Sequence, residues 1–200
     1  MISNLEPRSR GGVPLYQLKI TLKGSKPPIW RRVIVRAGTK LDDLHHVIQI
    51  AMGWTDDHQH PFITGSGSAR TFYGRPDPEC AYMMSRMLNE ERHTVADLAP
   101  AAKRKFIYEY DFGDGWQHDV MLEKFLPPDP AFKHPACLAG ANACPPEDCG
   151  GIYGYHNLQK IMADPKHPEH EKMKGWIGGK FDVTHFSPEE VNTMLKRLKA

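Results

Sequence analysis

From Leu15 to Lys23 the chain alternates Tyr16, Leu18, Ile20 and Leu22 with Gln17, Lys19, Thr21 and Lys23. That period of two predicts a strand with one wet face. Pro27 and Pro28 interrupt it, and Ile29 to Arg36 resumes it as a second strand, antiparallel across the turn. Ile29, Val33 and Val35 share a face, and Arg31 falls on that apolar face. An unpaired buried charge costs several kcal/mol, so Arg31 calls for a carboxylate, with Asp111, Glu109 or Asp148 as sources. The plainer alternative is a side chain that snorkels to the sheet edge.

Thr39 followed by Asp42 reads as a capping-box start, and Leu41, Leu44, Ile48 and Met52 recur at helical spacing until Gly53. Trp54 to Gly74 predicts two short strands with their loops, around Pro61-Phe62-Ile63 and Thr71-Phe72-Tyr73. Met83 to Leu98 permits a helix. Phe106 to Leu126 is the clearest hairpin. A three-residue Gly113-Asp114-Gly115 loop sets Phe112 opposite Trp116 and Tyr110 opposite His118, which keeps one aromatic face together with Val120 and Leu122. A two-residue Asp114-Gly115 turn would set Asp111 opposite His118 and split that face. Pro127 to Gly151 carries Pro127, Pro128, Pro130, Pro135, Pro145 and Pro146, which predicts a long irregular loop. Tyr155 to Met162 and Pro168 to Ile177 read as helices. The last helix has Ser187 as cap, Pro188 at its first position, Glu190 closing the box, a Phe186–Val191 staple, and Val191, Met194, Leu195 and Leu198 as its buried stripe. No repeat and no Gly/Ser linker divides the chain. These elements predict a single α+β domain over residues 13–200, built on a mainly antiparallel sheet with flanking helices, after a flexible tail at 1–12.

Composition adds little to that fold and removes several functions. The chain has 200 residues, 40% hydrophobic and 25% charged, with 17 glycines and 17 prolines. It is long enough to bury a core without staples, and the excess of turn formers agrees with the long loop. No apolar run of membrane-spanning length exists, and the first dozen residues lack the apolar core of a secretory signal. Of four cysteines, Cys80 stands apart while Cys137, Cys144 and Cys149 cluster, which fits a reducing, cytoplasmic setting better than a disulfide framework. Net charge is +2, yet residues 1–40 carry +8 and the remainder −6. Such asymmetry points to nucleic acid or an acidic partner at residues 19–36, or to a basic strand pair lying against its own acidic sheet. Phosphate-binding loops, dinucleotide fingerprints, His-Glu-x-x-His and Gly-x-Ser-x-Gly are absent, so the corresponding chemistries lose support.

Three polar stretches remain: Asp56-Asp57-His58-Gln59-His60, Tyr110 to His118, and Cys137 to Gly151 with Glu147 and Asp148. His58 and His60 would share a face if extended, and with Asp111 and His118 they form a candidate metal set in which imidazoles and carboxylates suit zinc, manganese or iron. Arg31, Asp114, Trp116, Glu147 and Asp148 are candidate ligand-binding residues beside it. The plainer assignments are loop-capping histidines, turn-forming aspartates and a satisfied core His118. For the cysteines, whose gaps of six and four residues do not match a zinc knuckle, the plainer assignment is small buried hydrophobes.

At these residues the chain resembles the plasmid pRiA4b ORF-3-like family, some of whose members carry transposon-passenger or TnpR-type labels. The resemblance covers about residues 13–198. It rests on Pro28-Ile29-Trp30-Arg31-Arg32, Leu44-His45 leading to Gly53-Trp54 and His58-Gln59-His60-Pro61-Phe62, Tyr108 to His118, and Cys137-Leu138-Ala139-Gly140 with Pro145 to Gly151 and Gly154-Tyr155. Met52 and Gln59 depart mildly from the common pattern. The resemblance implies one α+β domain, a link with plasmids and mobile elements, and no established activity. The leading expectation is a binding domain with a His/Asp/Glu site. Its rivals are a divalent-metal phosphodiesterase or hydrolase using His58, His60, Asp111 and His118 with Glu147 as base, and a DNA-binding accessory protein using Lys19, Lys23, Arg32 and Arg36.

Overall fold

In the computed structural model, which describes residues 12–76, 87–179 and 181–198, each segment forms the element that buries its apolar face. In chain order these are β1 (Leu15–Leu22), β2 (Trp30–Arg36), α1 (Leu41–Met52), β3 (Phe62–Thr64), β4 (Thr71–Gly74), β5 (Leu88–Asn89), α2 (Val95–Leu98), β6 (Lys105–Tyr110), β7 (Trp116–Leu126), β8 (Ala136–Ala141), α3 (Gly151–Ala163), α4 (His170–Trp176) and α5 (Pro188–Leu195). The strands form one sheet in the order β5-β4-β3-β6-β7-β1-β2-β8, antiparallel except between β4 and β5. This is the expected α+β domain. The expected tail lies, except for Gly12, outside the described residues.

The period of two places Leu18, Ile20, Leu22, Val33, Val35, Tyr108, Tyr110, Trp116, Val120 and Leu122 in one core. Leu41, Leu44, Val47, Ile48 and Ala51 of α1 pack into the same core, each full burial of such a side chain being worth about 1.5–3 kcal/mol. Gly53 ends α1 at φ 96, a left-handed cap that glycine adopts without steric cost. α5 lies against β8 and α1, and α3 against α4.

Five expectations change. The β6–β7 hairpin pairs Tyr110 with Trp116 and Tyr108 with His118, two residues from the expected register. A slip of two preserves the faces, so the aromatic set still buries together while Phe112 is left 40% exposed in the loop. The turn closes early because Asp111 adopts φ 59 and its Oδ1 accepts from Gly113 N at 2.8 Å and Asp114 N at 3.3 Å. The proline-rich segment is not irregular throughout: the proline-free run between Pro135 and Pro145 supplies β8 as an edge strand on β2.

Thr39 does not cap α1. Leu41 N donates to His93 O at 3.1 Å and Val95 N to Thr39 O at 3.0 Å, so a neighbouring segment satisfies the helix start. Over Met83 to Leu98 the described part is β5, a single 3-10 turn at Glu90–Arg92 and the short α2 capped by Thr94 and Asp97; residues 83–86 lie outside the description. At the C-terminus Ser187 caps α5 as expected and Leu195 is fully buried, but Met194 is exposed and the Glu190 carboxylate turns to His185.

Candidate functional site

Three loops meet at the end of β6. Tyr110 is the hub: its Oη accepts from Asp57 N at 3.0 Å and His58 N at 3.2 Å and donates to Glu147 Oε1 at 3.0 Å. Burial and the Glu147 carboxylate push the phenol up, so it stays a donor. Glu147 Oε1 also accepts from Thr55 N at 2.9 Å, and Oε2 accepts from Thr55 Oγ1 at 3.1 Å. Trp54 Nε1 donates to Pro145 O at 3.1 Å, and Gly150 N to Asp114 Oδ2 at 3.1 Å. Glycine is required at 151, where φ is 65 and a Cβ would stand 2.4 Å from the Asp114 carbonyl oxygen. These contacts join parts of the three polar stretches, Asp56–His60, Tyr110–His118 and Cys137–Gly151, through Asp57, His58, Tyr110, Asp114, Glu147 and Gly150.

His58 stands at the junction. Its Nε2 lies 3.3 Å from Asp148 Oδ1, 3.8 Å from Asp111 Oδ2 and 4.0 Å from Glu147 Oε2. The atom is shielded from solvent and makes no hydrogen bond among the described residues. Donor atoms around a small divalent cation, bound at about 2.1 Å, sit roughly 3.0–3.4 Å apart. His58 and Asp148 already stand at that spacing, and the donors of His58, Asp111 and Asp148, all within 4.8 Å of one another, would have to close around the ion. Asp111 and Glu147 are largely covered while Asp148 is 71% exposed, which leaves an entry from solvent. Asp111 and Asp148 hold φ values of 59 and 57. Left-handed backbone at a non-glycine residue stores strain that functional sites often carry.

Other candidates point elsewhere. Arg31 is 2% exposed and, contrary to expectation, pairs with no carboxylate among the described residues. Its Nε donates to Ala51 O at 2.7 Å, Nη1 to Trp30 O and Ala141 O, and Nη2 to Asn142 O, under the ring of Phe186. Carbonyl oxygens at the β2–β8 edge thus satisfy the fork. His60 does not share a face with His58: its Nε2 meets Glu90 Oε2 at 2.7 Å, and its ring stacks on His45 at 3.5 Å. Glu90 is fully buried in the stretch read as helix-permissive. His118 is buried behind Trp54, with Nδ1 on Tyr108 O at 3.3 Å and its pKa pushed down to about 4 by burial. Trp116, 1% exposed, is core beside Trp54. Of the proposed metal set, then, His58 and Asp111 come together, and Asp148 and Glu147 join them.

The sequence model of the plasmid pRiA4b ORF-3-like protein matches residues 14–190. The chain belongs to this family. The pRiA4b ORF-3-like chain is 34% identical over 165 residues to the uncharacterized protein y4hQ of Sinorhizobium fredii, covering 82% of this chain and 81% of that one. Its fold matches the crystal structure of MM3350, a protein of unknown function from Methanosarcina mazei Go1, with a TM-score of 0.80 and 33% identity over 90% of this chain and 98% of that one. The relatives therefore fix family and fold and name no activity.

In this pRiA4b ORF-3-like chain the basic strand pair is engaged internally. Glu123 holds Arg32 at 2.6 and 2.9 Å, Lys19 and Arg32 lie over the Trp30 ring, and Arg36 bonds Phe132 O and lies over its ring. That is the alternative of a basic pair set against its own sheet. Among the described residues no helix is long and apolar enough to cross a membrane. Sequence reasoning missed Tyr110 and Thr55 as organisers, and a second polar group formed by His45, His46 and Asp56. The available signal for Tyr110 was a polar-tipped aromatic on a buried strand face beside a carboxylate-rich loop.

Proposed function

We propose that this protein is a binding domain whose ligand is a divalent cation, held by His58, Asp111 and Asp148 with Glu147 beside them. The observation that carries the reading is the His58 Nε2 atom, shielded, unpartnered and facing three carboxylates within 4.0 Å. One imidazole among carboxylates suits manganese, zinc or iron. Thr55 and Tyr110 orient Glu147, the outer-shell support a metal site needs. The free thiols of Cys137, Cys144 and Cys149 support a cytoplasmic setting. The hydrolase reading loses two of its four ligands, since His60 and His118 are committed to the core. Nucleic-acid binding is weakened by the internal pairing of Arg32 and Arg36.

Calorimetric titration of the metal-stripped protein with Mn2+ and Zn2+ tests the proposal. Binding is expected in the wild type and is lost at this site in His58→Ala and Asp111→Asn. Less than about a tenth of an equivalent of transition metal after metal-supplemented expression would contradict it.

A further inference from the structure

A second group of donor atoms lies on the other side of the Trp54–His58 loop. His45 and His46 of α1 face Asp56: His45 Nε2 is 2.5 Å from Asp56 Oδ1, and His46 Nδ1 is 3.5 Å from Asp56 Oδ2. All three donors lie within 4.8 Å of one another. Outer contacts hold this set in place. Tyr108 Oη is 2.7 Å from His45 Nδ1 and accepts from Gln49 Nε2 at 2.9 Å, while Gln49 Oε1 accepts from Asp56 N at 3.2 Å. Asp56 itself sits at φ 66. The His45 side chain is 1% exposed, His46 is 40% exposed, and Asp56 is 35% exposed. The site therefore has a rigid inner wall and an open outer side.

We propose that His45, His46 and Asp56 form a second metal site, selective for a borderline transition-metal ion such as Zn2+ or Co2+ over Mg2+ and Ca2+. Two imidazoles and one carboxylate favour such ions, whereas hard cations demand oxygen. His45 is held in a fixed orientation by the stacked His60 ring and the Tyr108 oxygen, with its Nε2 facing Asp56. Ligation through Nε2 requires the ring proton on Nδ1, where the Tyr108 oxygen accepts it, the outer-shell arrangement common to metal-bound histidines. His45 and Asp56 must part by about half an ångström to reach the donor spacing around zinc. Asp56, on a loop open to solvent, can supply that movement. Asp56 and His58 belong to the same loop, so the two sites share one segment while taking different donor sets.

The test is titration of the metal-stripped full chain with Co2+, followed by visible absorption and calorimetry with excess Mg2+ present, and circular dichroism to check the fold. The wild type is expected to show two Mg2+-resistant Co2+ sites, of which one has its affinity lowered roughly tenfold or more in His46→Ala and Asp56→Asn and is still present in His58→Ala. In Tyr108→Phe the loss is expected to be about 10–100-fold. Folded His46→Ala and Asp56→Asn proteins that keep wild-type Co2+ affinity and spectrum would overturn the proposal. If His58→Ala alone abolishes all binding, this second site falls and the one at His58 stands. The reverse pattern keeps the second site and removes the first.

Discussion

The loop cluster around His58 and the buried polar layer behind it are built from the same residue types and reach opposite ends. In the layer the polar side chains serve the fold: Arg31 makes four carbonyl contacts, His60 pairs with Glu90, and His118 Nδ1 meets the Tyr108 carbonyl. In the cluster Thr55, Tyr110 and the Gly150 amide hold the carboxylate loops, and the His58 Nε2 is left over. His58 and His60 are two residues apart, so motif membership does not decide their role. What separates them is a fully buried carboxylate within reach of one and partly exposed carboxylates around the other. His118 Nε2 is also without a hydrogen bond, but it is sealed in the core and pairs with no carboxylate among the described residues. A spare atom is available to a ligand only where carboxylates and an opening to solvent stand beside it, as at His58.

The largest effect should come from the layer. Arg31→Met strands several buried carbonyl oxygens, and a loss of about 4 kcal/mol is expected in urea unfolding; a loss below ~1 kcal/mol would mean that the edge is wet and the guanidinium dispensable. Next, Glu90→Ala leaves His60 without its partner and should cost about 3 kcal/mol by the same measurement, with cation binding at His58 retained in the protein that still folds. A stability cost near zero would place His60 with the open group instead.

His118 gives a pH signature. Its imidazole stays neutral in the fold down to about pH 4, against 6.5 for a free side chain, because burial disfavours the charge. Between these values the unfolded chain binds the extra proton, so this contribution to stability is full above pH 6.5 and falls as pH drops towards 4. The His118 share of the stability lost between pH 7 and pH 5 should be about 1–2 kcal/mol, read as the difference between wild type and His118→Gln in urea unfolding. The smallest effect on stability should come from His58→Ala, within about 0.5 kcal/mol of wild type, although it abolishes cation binding at that site. A large destabilisation would make His58 one more structural histidine.

The strand pair, α1 and the capped α5 were legible because alternation, helical spacing and Ser187-Pro188 report local chemistry that the tertiary structure keeps. The faces of the β6–β7 hairpin were legible and its register was not, because a slip of two residues leaves the same side chains buried and only the Asp111 turn decides between them. β8 was hidden by the prolines that flank it. At the site, His58, Asp111, Glu147 and Asp148 could be named from their polar, glycine-punctuated loops. The partners of Arg31 could not, since backbone carbonyls have no sequence signature. Glu90 could not either, because its role depends on a long-range meeting with His60 across the fold.

The central claim is that a cation occupies the space in front of the His58 Nε2 atom. Anomalous diffraction from crystals equilibrated with Mn2+ tests it most directly. The account predicts a peak about 2.1–2.3 Å from His58 Nε2 and from carboxylate oxygens of Asp111 and Asp148, absent in His58→Ala crystals. Saturating Mn2+ with no anomalous density between these three residues would contradict it.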